Sequence, residues 1–367
     1  MHLDLEDVAD DITIHRDALV IPPQPQILRR EQPSGVLTAD GSFVENARNW
    51  TDSRTPVNAP PALLPGQQVE TLAGRHLFGG VFYGHFGHFI VETLSRVWAL
   101  DHLDAPVDSL ILTPKVIGTY DDALARYQAI FDAFNVRIPV RLVSAPVRVE
   151  ELVVPRQGFG MNDLVGGSAR FRDYVNRWAG HDIAPEGGRK IYISRSRLPP
   201  DRGSILGESR LEAYLAAEGY EIYHPQKQTT AHQIARYKAA THIIATDCSP
   251  VHMVGHVGNA GQKVAIITRR STPVGSHLER QLREFKGMEA TEINALVNDW
   301  VLQPGGRPGR SSFGEVDLAA IQSRLLDLGM IESAAPWANL TRQERDAEVA
   351  RQAARHKAIM EPFRADA

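Results

Sequence analysis

Lys190-Ile191-Tyr192-Ile193-Ser194, Tyr220-Glu221-Ile222-Tyr223, His242-Ile243-Ile244-Ala245-Thr246 and Lys263-Val264-Ala265-Ile266-Ile267 are short apolar runs, each of strand length. Between them lie segments with helical spacing: Glu208 to Glu218, closed by Gly219; Thr230 to Ala240, with Thr229 or Thr230 as its cap; and the shorter Pro250 to Val257. Strands alternating with helices of about ten residues predict parallel βαβ units. Right-handed crossovers then put the loops that follow the strands along one rim, where open α/β sheets bind their ligands.

Before this region, Asp182-Ile183-Ala184-Pro185-Glu186-Gly187-Gly188-Arg189 reads as a linker. Upstream of it, Leu77 to Phe82, Ser109 to Thr113, Val140 to Val143 and Leu152 to Val154 predict strands, and Asp121 to Phe134 and Arg170 to Trp178 predict helices. The segment after Gly87 predicts a further helix, with Phe89, Ile90, Leu94, Val97 and Trp98 on one face and Glu92 and Arg96 off it. Residues 1 to about 70 carry many Pro and polar residues, which predicts short strands and loops tied onto the first domain. Thr341 to Met360 predicts a charged, solvated helix bracing the domains, opened by a capping box of Thr341 and Glu344. The expected division is a domain over 1–184, a second over 189–300 and a helical tail over 301–367.

The chain has 367 residues, enough for two ordinary domains, and its 43% hydrophobic and 23% charged residues are a globular balance. A net charge of -4 argues against a nucleic-acid binder. The single cysteine, Cys248, excludes an internal disulfide. The acidic start, Met1 to Asp7, is unlike a signal peptide, and the longest apolar stretch, Gly79 to Leu100, is interrupted by charged residues. The expectation is therefore a cytoplasmic protein with no transmembrane segment.

Two places carry chemistry. On the rim of the second domain, Ser194-Arg195-Ser196-Arg197 with Arg202, His224-Pro225, Asp247-Cys248-Ser249-Pro250 and Thr268-Arg269-Arg270 follow successive strands. Arginine donates in pairs to phosphate, and Ser249 opens a helix whose first N–H groups suit an anion, so a diphosphate cradle is expected around Arg195 and Ser249, with Arg202 assisting. Arg197, Arg269 and Arg270 read as ordinary surface side chains. In the first domain, Gly84-His85-Phe86-Gly87-His88-Phe89-Ile90-Val91-Glu92 sets His88 and Glu92 at i, i+4 near a helix start. His88 suits general-base work; Glu92 either orients it or acts itself, and a buried, hydrogen-bonded histidine is the plainer alternative. His252 and His256 share the same spacing, but no third ligand is evident and no metal site is expected. No G-x-G-x-x-G, Walker loop or G-x-S-x-G elbow is present.

The segment Tyr83 to Arg96 resembles the "GHFL-x-E-x-L-x-R" signature of glycosyltransferase family 61, and Lys190 to Ser196 resembles its "IYISR" strand. Glu208 after Arg202 is similar to the family's "R…NE" element, with Gly207 in place of Asn, and Thr230 to Ala245 to its "EQI…A…IIG" stretch. Thr246-Asp247-Cys248-Ser249-Pro250-Val251-His252 stands where "HGAGL(T/S)N" is frequent, and resembles a bacterial variant with Ser and a later His. The resemblance implies a GT-B-like α/β fold, two Rossmann-like domains facing a cleft. It implies inverting, metal-independent transfer of a sugar from a nucleotide-sugar, typically a UDP-sugar, to a glycan acceptor, without a cofactor, in capsular or other surface polysaccharide biosynthesis. His88 and Glu92 would then be catalytic, and Arg195, Arg202, Glu208, His224, Ser249 and His252 would bind the donor. Peripheral association with a membrane polysaccharide assembly complex fits that setting. A non-catalytic nucleotide- or glycan-binding partner and a nucleotide-sugar epimerase are the alternatives.

Overall fold

The computed structural model describes residues 3–6, 11–23, 32–115, 121–199 and 201–363. Gln24 and Pro25 of the first proline-rich stretch lie outside them. The chain forms two compact units, Met1–Asp182 and Ile183–Ala367, both of mixed α/β structure.

The first unit is built on a six-stranded sheet. Its strands are β1 (Ile12–Ile21), β2 (Gly35–Leu37), β3 (Glu70–Phe82), β4 (Ser109–Pro114), β5 (Val140–Leu142) and β6 (Val147–Pro155), in the order β2-β1-β6-β3-β4-β5. From β6 to β5 all neighbours are parallel; β1 runs antiparallel to both β6 and β2. The N-terminal region is thus more than short strands: β1 is ten residues long and interior to the sheet. Its last four residues are buried, because Ala18 and Val20 pack with Phe78, Ile111, Val149 and Val154. Helices α1 (Phe86–Val91), α2 (Asp121–Ala133) and α3 (Ala169–Trp178) complete the unit, and α1 runs on as a 3-10 stretch, Thr93–His102. The apolar face expected on this segment is buried, but so are Glu92 and Arg96. Arg96 donates to Pro155 O at 2.9 Å, Asn49 Oδ1 at 3.0 Å, and the Asn46 and Arg48 carbonyls. It ties the N-terminal arm to β6, which is why a charged side chain off the apolar face is interior.

In the second unit β7 (Lys190–Ile193), β8 (Glu221–Tyr223), β9 (His242–Thr246), β10 (Lys263–Ile267) and β11 (Glu289–Ile293) form a wholly parallel sheet in the order β8-β7-β9-β10-β11. Counted from its own first strand this is 2-1-3-4-5, a doubly wound order whose switch point lies between β7 and β9. Helices α4 (Glu208–Ala217), α5 (Thr230–Ala239), α6 (Pro250–Val257) and α7 (Val274–Lys286) connect the strands, and Thr229 caps α5 through its hydroxyl. The stretch read as a linker is bonded onto α5: Glu186 N–H donates to Ala235 O at 3.1 Å and Arg236 donates to Glu186 O at 2.9 Å.

Residues beyond 293 belong to the same unit. They add an antiparallel sheet of β12 (Leu296–Gln303), β13 (Phe313–Val316) and β14 (Ile359–Pro362), and helices α8 (Leu318–Asp327) and α9 (Arg342–His356). The Thr341–Glu344 capping box opens α9. Val349 of α9 is buried with Leu206, Phe313 and Met360, so α9 packs by one narrow apolar stripe. Among the described residues no helix is long and apolar enough to cross a membrane.

Candidate active site

The first cluster lies at the carboxyl ends of β3 and β4. Tyr83 directly follows β3, and Lys115 directly follows β4, its N–H donating to Phe82 O at 3.0 Å. The chain turns through Gly84 and His85 into α1, which brings His88 back over Tyr83 with the rings stacked at 5.3 Å. His88 Nδ1–H donates to Glu92 Oε2. The Glu92 side chain is 4% exposed, whereas that of His88 is 47% exposed, so the carboxylate is fixed and the imidazole reaches solvent. The hydrogen bond from Glu92 raises the His88 pKa above its ordinary value against the effects of burial and Lys115. Burial raises the Tyr83 pKa and lowers that of Lys115. With Nδ1 bonded to a carboxylate, Nε2 is the nitrogen left to exchange a proton with a ligand, the division of labour of a His–carboxylate pair.

The second cluster surrounds the carboxyl ends of β7 and β9, at the switch point. Arg195 is half-buried. Its backbone N–H donates to Glu208 Oε1 at 2.8 Å and its Nε donates to Gly203 O at 2.8 Å. Among the described residues its two terminal amino groups have no hydrogen-bond partner. Glu208 is turned inward: Tyr192 Oη donates to it at 2.9 Å and the Ser204 hydroxyl donates to its other oxygen. Burial raises its pKa, and the bonds from Ser204, Arg195 and Tyr192 oppose the rise. Glu208, expected to contact the donor, is buried beneath the Arg195 loop with its oxygens taken by these donors. Gly207, ahead of it, has φ +67°, a conformation open to Gly and Asn, which accounts for either residue at this place in the motif.

Asp247, Arg269 and Arg270 close the other side. Asp247 is wholly buried; Arg269 N–H donates to its Oδ2 at 3.0 Å and Arg270 Nε to its Oδ1 at 2.9 Å. Arg269 also donates to the carbonyls of Asp247, Gly309 and Ser312, and burial together with Arg195 pushes its pKa down to about 9. Reading Arg269 and Arg270 as surface side chains is thus corrected: the strand-end carboxylate draws both in. Ser249 is half-buried at the start of α6, but the N-terminal amides expected to bind an anion are occupied. Pro250 has no N–H, Val251 N–H donates to Cys248 O and His252 N–H to Ser249 O, both at 3.1 Å. Of the donors expected at the start of α6, the Ser249 hydroxyl is left beside the uncommitted Arg195 amino groups.

His252 is buried and its Nδ1–H donates to Gln281; His256 Nδ1–H donates to His252 O at 2.7 Å. Among the described residues no group of three His, Cys, Asp or Glu is placed to hold a metal ion. His224 follows β8, is buried, and its Nδ1 lacks a hydrogen-bond partner among the described residues. Burial, then Arg197, lowers its pKa. Arg202 pairs with Asp201 at 3.2 Å. Burial pushes the Cys248 thiol up to about 11, which makes it inert as a nucleophile. Sequence reasoning missed Tyr83 and Lys115; each directly follows a parallel strand, so the strand-end rule that placed Asp247 on the second rim would have found them had it been applied to the first sheet.

No curated protein matches the chain. Residues 86–254, a little under half of the chain, match the family model described as Glycosyltransferase 61. The matched stretch runs from the start of α1 into α6 and holds His88, Glu92, Arg195, Glu208 and Asp247, and it supports glycosyltransferase family 61 and glycosyltransferase activity for this chain.

Proposed function

We propose that the protein is an inverting, metal-independent glycosyltransferase that moves a sugar from a nucleotide-sugar, of the UDP type, to a glycan acceptor in surface polysaccharide biosynthesis. His88 Nε2 removes the proton of the acceptor hydroxyl. The oxygen attacks the anomeric carbon, the bond from that carbon to the phosphate oxygen breaks, and the nucleoside diphosphate leaves. Glu92 holds His88 in the tautomer with Nε2 free and stabilises the imidazolium that forms. Arg195 receives the charge that develops on the leaving diphosphate, with Ser249 and Arg202 assisting and His224 at the nucleoside. Glu208 positions Arg195 and does not touch the donor. His252 supports α6. The acceptor belongs to the first unit and the donor to the second, the division of labour of a GT-B enzyme.

The observation that carries this reading is the pairing of two features within the family-matched stretch: a solvent-reaching His88 fixed by a buried carboxylate, and an Arg195 guanidinium with uncommitted donors at a sheet switch point. The test is release of nucleoside diphosphate from a panel of nucleotide-sugars, with candidate glycan acceptors and with EDTA. Acceptor-dependent release that survives EDTA and is lost in His88→Ala is expected. Nucleotide binding without release by any acceptor would instead assign a binding partner of a polysaccharide assembly complex.

A further inference from the structure

We propose that Lys115 is an anion-binding contact of the acceptor site, so that the acceptor carries a carboxylate or phosphate group near the hydroxyl attacked. The inference deepens the reading of His88 as the acceptor-side base and rests on it.

Lys115 is half-buried at the end of β4, next to the end of β3 that carries Tyr83. Its N–H donates to Phe82 O at 3.0 Å, continuing the pairing of Phe82 with Pro114, so it stands opposite Tyr83, on whose ring His88 stacks. Yet among the described residues no carboxylate lies within ion-pair distance of it and its ammonium makes no hydrogen bond. The buried Arg96 is occupied by four acceptors of the fold. Withdrawing an ammonium from water without a partner is costly, and a ligand anion removes that cost. An unpaired cation beside a proton-accepting imidazole, at the carboxyl end of parallel strands, therefore selects an acidic sugar over a neutral one.

D-glucuronate, D-glucose 6-phosphate and D-glucose are titrated into wild type, Lys115→Gln and Lys115→Arg, by calorimetry and by the shifts of the His88 imidazole protons. At least one anionic sugar is expected to bind about tenfold or more tightly than glucose. Lys115→Gln brings it to the level of glucose, Lys115→Arg keeps most of the preference, and glucose itself is unaffected. The tighter of the two anions names the acceptor's acidic group. Anionic sugars binding no better than glucose, or a preference that persists in Lys115→Gln, overturns the proposal. If Lys115→Gln melts early, the wild-type preference must still fall with rising salt. His88→Ala keeps the anion preference under this proposal even if that variant transfers sugar normally, so failure of the catalytic reading and failure of this one are separable.

Discussion

His88 shows how one bond sets the properties of a site. Its Nδ1 is held by Glu92, and that bond is the largest cause of its raised pKa. A base must be neutral, so the rate should fall as pH drops through the raised His88 value. Glu92→Gln removes the carboxylate, and burial and Lys115 then move the pKa down. The acid limb of the pH–rate profile should shift to lower pH while the maximal rate falls by about a hundredfold or more. An unshifted limb would show that His88 is not the group titrating. Arg195 is a parallel case on the second sheet: its terminal amino groups are uncommitted, so Arg195→Ala should weaken nucleoside diphosphate binding by about 1.5–3 kcal/mol.

At the scale of elements, the rim of the second sheet depends on interior pairs. Asp247→Asn would leave Arg269 and Arg270 without their shared buried carboxylate, a loss of about 3–5 kcal/mol that thermal melting would detect. A melting temperature equal to wild type would mean those arginines are solvated. Gly203→Ala would place a Cβ 1.8 Å from Ser312 O, so the Arg195 loop must move away from β13. Melting temperature and nucleotide affinity should fall together.

Much of this was legible in the residues. The apolar runs after residue 189 have period and punctuation that leave little choice but parallel strands, and the rim followed from their ends. What escaped was what local pattern does not encode. β1 enters beside β6 from far along the chain, and Arg96 turns inward to satisfy carbonyls of the N-terminal arm. At α6 the first helix amides are not open to a ligand as their position suggests, because Pro250 has no N–H and turn carbonyls take those of Val251 and His252, a matter of backbone geometry.

For the whole molecule, the tail after residue 296 helps hold the second unit together. β13 runs beside the Arg195–Glu208 loop, with Leu206 N–H donating to Gly314 O at 2.8 Å, and α9 covers Leu206 and Phe313. Removing residues 341–367 should expose that apolar cluster, lower the melting temperature of the second unit and weaken nucleotide binding. Full affinity in the truncated protein would show the tail to be dispensable to the rim.

The base and the diphosphate contact are separate devices. Calorimetric titration of UDP into wild type, Arg195→Ala and His88→Ala, with EDTA present, tests it most directly. Binding to wild type, a loss of about tenfold or more in Arg195→Ala and an unchanged affinity in His88→Ala are expected. Equal losses in both variants, or no binding of UDP to wild type, would contradict it.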